Sequence, residues 1–224
     1  MTDRPHRARI ILGATTLADA AGALALATAL AAEGSELHGL LVEDEEVLAL
    51  CTAQGACIVA PAGRAGGTLD AGRLRRAFIG EAARFERLLA EAAGRAAVRA
   101  SFSLGRGRLA ASLAAAAGPG DLMIVAAGPF RAPVREVVLL SAGLSDPALP
   151  VLARATAERL RRPLRTIGGI PPSGGAADAA AAAGMLDTLG TLGPGAILFA
   201  ELSRTGLSLE DVLRRTRCTC VLRA

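Results

Sequence analysis

Few residues in this sequence combine a reactive type with a useful spacing. Glu43, Asp44, Glu45 and Glu46 stand in a row, and carboxylates so placed could hold a divalent cation through oxygen ligands. Acids entering a helix, stabilised by its positive end, are the simpler alternative. Gly105-Arg106-Gly107-Arg108 offers a flexible backbone with two guanidiniums, a combination that can clamp a phosphate or carboxylate. A plain strand-to-helix turn with solvated arginines is its alternative. Ser203, Arg204, Thr205 and Gly206 could hold an anion beside a helix start, unless Ser208 simply caps that helix with Asp211 three residues later. Cys218 and Cys220 are two apart on an expected strand, so they share a face and read as core. His38 shares its strand face with Leu40 and Val42. No recognisable motif pairs it with a nucleophile, so it reads as a satisfied core or edge histidine.

The elements that must carry these residues follow from the apolar pattern. Arg9 to Ala14 reads as a buried strand, Leu17 to Glu33 as a helix and Glu36 to Val42 as a second strand. A loop with Gly55, Pro61, Gly63, Gly66 and Gly67 leads to a long helix, capped by Asp70 and ending at Gly94. On that helix Leu74, Phe78, Ala82, Phe85, Leu88 and Leu89 form one apolar face. Strands over 98–104 and 122–126 flank a helix over 109–117. The second part repeats the order, with strands over 137–140, 164–167, 196–200 and 218–222 and helices over 146–161, 176–189 and 208–215. Alternation of this kind predicts an α/β fold with a doubly wound parallel sheet.

Composition excludes several functions. The chain has 224 residues, 25 basic residues that are all arginine, 51 alanines and no Trp or Tyr. Without lysine there is no phosphate-loop lysine, Schiff-base enzyme or kinase catalytic lysine. The arginines are scattered among 21 acids without stacking aromatics, which argues against nucleic acid. The pattern also predicts no membrane span, and the cysteine usage predicts a cytoplasmic setting. No set of ligands with zinc spacing appears, so neither a metal nor a catalytic centre is expected.

Leu17-Ala18-Asp19 matches Leu144-Ser145-Asp146, and LALATA at 24–29 matches LARATA at 152–157, which predicts an internal duplication. Residues 1–133 form the first copy and 134–224 a shortened second. The segments RIILGATTLADAAGALALATALAAEGSELHGLLVE, REVVLLSAGLSDPALPVLARATAERL and LEDVLRRTRCTCVLRA resemble the universal stress protein family, specifically its tandem members.

That resemblance implies an adenine-nucleotide α-hydrolase-like fold and a regulatory, non-catalytic stress-response protein. Family members that bind ATP carry an aspartate at the end of the first strand and a spaced-glycine loop after the fourth. Here Thr15 stands at the first position, Ser141 or Ala142 at its counterpart, and Gly128 lies among prolines. The expected ligand is a small anion, with ATP or another adenine nucleotide the leading example. The expected site comprises Thr15, Val42, Gly105, Arg106, Arg108, Gly128, Ser203, Arg204, Thr205 and Gly206. The alternative is a ligand-free scaffold acting through protein contacts, as a homodimer or an intramolecular pseudo-dimer.

Overall fold

The computed structural model describes residues 9–31, 35–46, 49, 57–59, 65–68, 71–126, 133–141, 144–168, 176–203 and 205–223. The strands are β1 (Arg9–Ala14), β2 (Glu36–Glu43), β3 (Cys57–Val59), β4 (Ala65–Thr68), β5 (Arg99–Arg106), β6 (Leu122–Val125), β7 (Glu136–Leu140), β8 (Leu164–Ile167), β9 (Ala196–Glu201) and β10 (Thr219–Arg223). The helices are α1 (Leu17–Leu30), α2 (Ala71–Arg95), α3 (Leu109–Ala116), α4 (Ala148–Leu160), α5 (Ala176–Gly190) and α6 (Leu209–Arg215).

Eight strands form one sheet in the order β5-β2-β1-β6-β10-β9-β7-β8. Every neighbouring pair is parallel except β6 with β10, which is antiparallel. The first four strands in space therefore come from residues before 126 and the last four from residues after 135. The fold is the expected doubly wound α/β arrangement, with one antiparallel seam that the alternation of elements did not predict. Hydrogen bonding across the seam is set by strand direction in space, which the chain order alone does not specify.

Helices cover both faces. On one, Ala23, Phe85, Leu89, Leu149 and Ala153 of α1, α2 and α4 pack on Leu12, Leu41 and Phe199. On the other, Leu113, Leu189 and Val212 of α3, α5 and α6 pack on Ile11, Leu40, Leu198 and Cys220. Both cores run across the seam. Two strand glycines permit this closeness. A Cβ at Gly13 would stand 2.7 Å from Leu113 Cδ2, and one at Gly39 would stand 2.8 Å from Leu89 Cδ2, so any larger residue would push α3 or α2 off the sheet.

The elements follow local chemistry. Thr16 caps α1, its hydroxyl accepting from Asp19 N at 3.2 Å. Ser208 caps α6, with Asp211 N donating to Ser208 Oγ at 3.0 Å, so the capping reading of that serine holds. On α2, Ala82, Phe85 and Leu89 are buried as expected, whereas Leu88 is exposed. The expected loop over 55–67 instead carries a two-stranded antiparallel hairpin, β3 with β4. Its glycines suggested only turns, and pairing between two such short strands has no periodic signature. Cys51 and Asp70 lie outside the described residues.

Candidate functional site

The expected anion clamp at 105–108 is not one loop. β5 continues to Arg106, pairing Gly105 with Val42 and Arg106 with Glu43, and the chain turns only at Gly107, whose φ is +110°. The two arginines consequently part. Arg106 Nε donates to Glu43 Oε2 at 3.3 Å. Arg108 donates to Glu46 Oε1 at 2.9 Å and to Glu210 Oε1 at 2.8 Å, tying the acidic run to α6. Both guanidiniums thus meet carboxylates of the chain itself. Val42 is fully buried in the sheet core and lies beneath Gly105, so its side chain faces no ligand. The expectation of a shared clamp missed the strand extension because glycine and arginine are poor strand formers in isolation.

The loop after β9 is also structural. Ser203 Oγ donates to Glu201 Oε1 at 3.1 Å. Thr205 is buried, donates to Leu202 O at 3.0 Å and accepts from Leu207 N at 3.2 Å. Gly206, at φ +69°, makes the turn that brings the chain into α6. Its hydroxyls hold the loop rather than an anion. Gly128 and Arg204 lie outside the described residues.

Thr15 is where the sequence placed it, at the carboxyl end of β1. Together with Thr16, Glu43, Asp44, Phe78 and Glu81 it lines a cleft of about 190 Å³. On the far side of Glu43, a recess of about 280 Å³ is lined by Gly105, Arg106, Arg75, Ile79 and Leu104. Glu43 itself is 8% exposed, and its Oε1 has no hydrogen-bond partner among the described residues. A buried carboxylate oxygen in that state disfavours a further anion and favours a hydrogen-bond donor. The run 43–46 otherwise behaves as a helix entry, with Asp44 Oδ1 accepting from Glu46 N at 2.8 Å. No group of three or more His, Cys, Asp or Glu among the described residues could hold a metal ion.

Nothing in the residue pattern foreshadows what occupies the turn after the first strand of each part. In the first part, Leu17 N at the start of α1 donates to Glu81 Oε2 at 2.9 Å. In the second, Glu201 Oε2 accepts from Ser145 N at 2.8 Å and from Asp146 N at 3.1 Å. Its other oxygen accepts from the hydroxyls of Ser145 and Ser203. Glu201 is 3% exposed. Asp146 in turn pairs with Arg223, which stands in register with Glu201. Leu17 N is a helix-start amide of the kind that attracts a phosphate, whereas Ser145 N and Asp146 N belong to the turn ahead of α4. An internal carboxylate already holds them.

Cys218 and Cys220 are buried core residues, as read from the sequence. A hydrogen bond to Cys220 and burial push the Cys218 thiol up, so it stays protonated. His38 is satisfied at both ring nitrogens, by Ser101 Oγ at 2.9 Å and Ser103 Oγ at 3.0 Å. Between α1 and α4 lies an apolar recess of about 310 Å³, lined by Ala25, Leu26, Leu152, Ala155 and Leu160. No helix among the described residues is long and apolar enough to cross a membrane.

No family model matches the chain, and no curated protein matches it. Among solved structures, it is similar to the cytoplasmic domain of a prokaryotic cation chloride cotransporter, at 10% identity and a TM-score of 0.41, over 96% of this chain and 95% of that one.

Proposed function

We propose that the chain is a regulatory module of universal stress protein type whose nucleotide positions are closed by its own carboxylates, and which acts through protein contacts. The observation that carries this reading is Glu201, which takes the Ser145 and Asp146 amides at the start of the second part. Glu81 does the same, more weakly, at Leu17. An anion would have to displace a buried carboxylate that is already hydrogen-bonded. The antiparallel seam between β6 and β10 supports an intramolecular pseudo-dimer, since it sets the two parts side by side in opposite directions. A cytoplasmic setting remains part of this proposal.

Titration with ATP, ADP and inorganic phosphate while following the melting temperature tests the reading. Native mass spectrometry of the purified chain complements it. The expected outcome is an empty chain and no shift, because a ligand binding only the folded state must raise the midpoint. A retained nucleotide, or a rise that grows with nucleotide concentration, overturns it.

A second reading has an observation of its own. The recess beside Gly105 carries Arg75 as well as Arg106, and a small anion such as phosphate would have to draw Arg106 away from Glu43, which lines the same recess. Under that reading phosphate raises the melting temperature and Arg106→Ala removes the rise.

A further inference from the structure

On the α3 face, at the amino-terminal end of the first-part strands, four side chains form a chain of hydrogen bonds. Strands β2 and β5 are parallel, with His38 opposite Ser101 and Leu40 opposite Ser103. The two-residue period of a strand places Glu36 and His38 on the same face as Ser101 and Ser103. Ser101 Oγ donates to Glu36 Oε1 at 2.7 Å. The two ring nitrogens of His38 contact Ser101 and Ser103 at 2.9 and 3.0 Å.

Counting protons fixes the direction of every bond. Ser101 has a single hydroxyl proton, which goes to Glu36, so its oxygen can only accept from His38 Nδ1–H. Neutral His38 then carries its lone pair on Nε2. Ser103 therefore donates to that lone pair. The order is hydroxyl, imidazole, hydroxyl, carboxylate, with the base set on one serine and its tautomer held from the far side.

Helix α3 packs on this face against β1, β2 and β5, and the carbonyl of its last residue, Ala116, accepts from the Arg9 guanidinium. Ser101, Ser103 and His38 are half-buried, and β5 is an edge strand of the sheet. The groups around His38 are Arg9 of β1, Glu36 of its own strand and Asp121 ahead of β6, with Arg99 two residues before Ser101 on β5. Arg9 is itself held by Asp121 at 2.7 Å. Burial first, and Arg9 second, lower the pKa of His38 below its ordinary 6.5, against the opposing pull of Glu36 and Asp121. The ring is thereby kept in its basic form at neutral pH.

We infer that Ser103 is an activated nucleophile that accepts the acyl group of a small activated carboxylic ester, with His38 as its general base and Ser101 and Glu36 as positioning residues. Ser103 Oγ bonds to the carbonyl carbon while its proton passes to His38 Nε2. The carbon–oxygen bond to the leaving group then breaks, and the departing alkoxide takes the proton from His38. The products are acyl-Ser103 and an alcohol. The site lies away from the strand-end clefts and does not depend on what fills them.

The test uses the full chain with p-nitrophenyl acetate and a fluorophosphonate, the modified residue being located by peptide mass spectrometry. Ser103 is expected to be modified ahead of the other serines, and His38→Gln is expected to slow that reaction by about 100-fold or more. The rate should rise with pH to a midpoint below 6.5, the value from which His38 is lowered, and then level off. Because the charge on Glu36 raises the pKa of His38, Glu36→Gln should move the midpoint down, which a merely structural role would not do. Equal reactivity of Ser103 and other folded-state serines, or an unchanged rate in a folded His38→Gln chain, overturns the inference. Should that variant not fold, the wild-type profile decides alone. A rate with no inflection below 6.5 overturns the inference as well.

Discussion

The two ends of the sheet solve one problem with unequal success. Each part begins with a strand, a turn and a helix, and each sets a glutamate on amides between the end of that strand and the start of the helix. In the second part the glutamate is Glu201, the last residue of β9, already in place as the strand ends and bonded to two amides and two hydroxyls. In the first part it is Glu81, which reaches across from α2 to the amide of Leu17. A carboxylate supplied by the sheet fills its position, whereas one supplied by a helix leaves a cleft of about 190 Å³ beside it. Where a plug originates decides whether a pocket survives.

Removing the stronger plug should cost the most. Glu201→Ala leaves two amides and two hydroxyls without their acceptor in a buried position, and is expected to destabilise the fold by about 3 kcal/mol. Denaturant unfolding followed by circular dichroism measures this. A loss no greater than that at Glu81 would abolish the distinction between the two ends.

Glu81→Ala removes one bond at a helix start and should cost about 1 kcal/mol. It should also enlarge the first-part cleft, so a phosphate-dependent rise in melting temperature that is absent from the parent chain would sharpen the comparison. The smallest effect belongs to the exposed Arg108, which links Glu46 of the first part to Glu210 of the second. Ion pairs in solvent contribute little. Arg108→Ala is expected to leave the melting temperature almost unchanged in moderate salt, and a large drop would mean that the two parts depend on this bridge.

Much of the fold was legible in the residues. The buried strands RIILGA, LMIV and AILFA carried continuous apolar runs, and the amphipathic stripe of α2 was plain. Less of the site was legible. Val42 and Thr205 looked like ligand neighbours because they lie near strand ends, yet both side chains are buried, one as core and the other as a loop tie. Arg106 and Arg108 looked like partners because they are two apart, yet two extra strand residues and the turn at Gly107 send them to different carboxylates. His38 looked solitary because its two serines are more than sixty positions away in sequence. The alternating polar residues of ELHGLLVE and RASFSLGR were a visible signal, and only the pairing of their strands was missing.

The sequence by itself determined the layered α/β class, the absence of lysine chemistry, the Ser208 cap and the buried Cys218 and Cys220, since these depend on residue type and on spacings within one or two turns. Tertiary structure alone decided the antiparallel seam, the internal carboxylates on the amides ahead of and at the start of α4 and α1, and the hydrogen-bond chain from Ser103 to Glu36. Each of these joins groups that are far apart along the chain. Their encounter depends on which strands lie side by side, and that choice comes from packing the whole sheet rather than from any local preference.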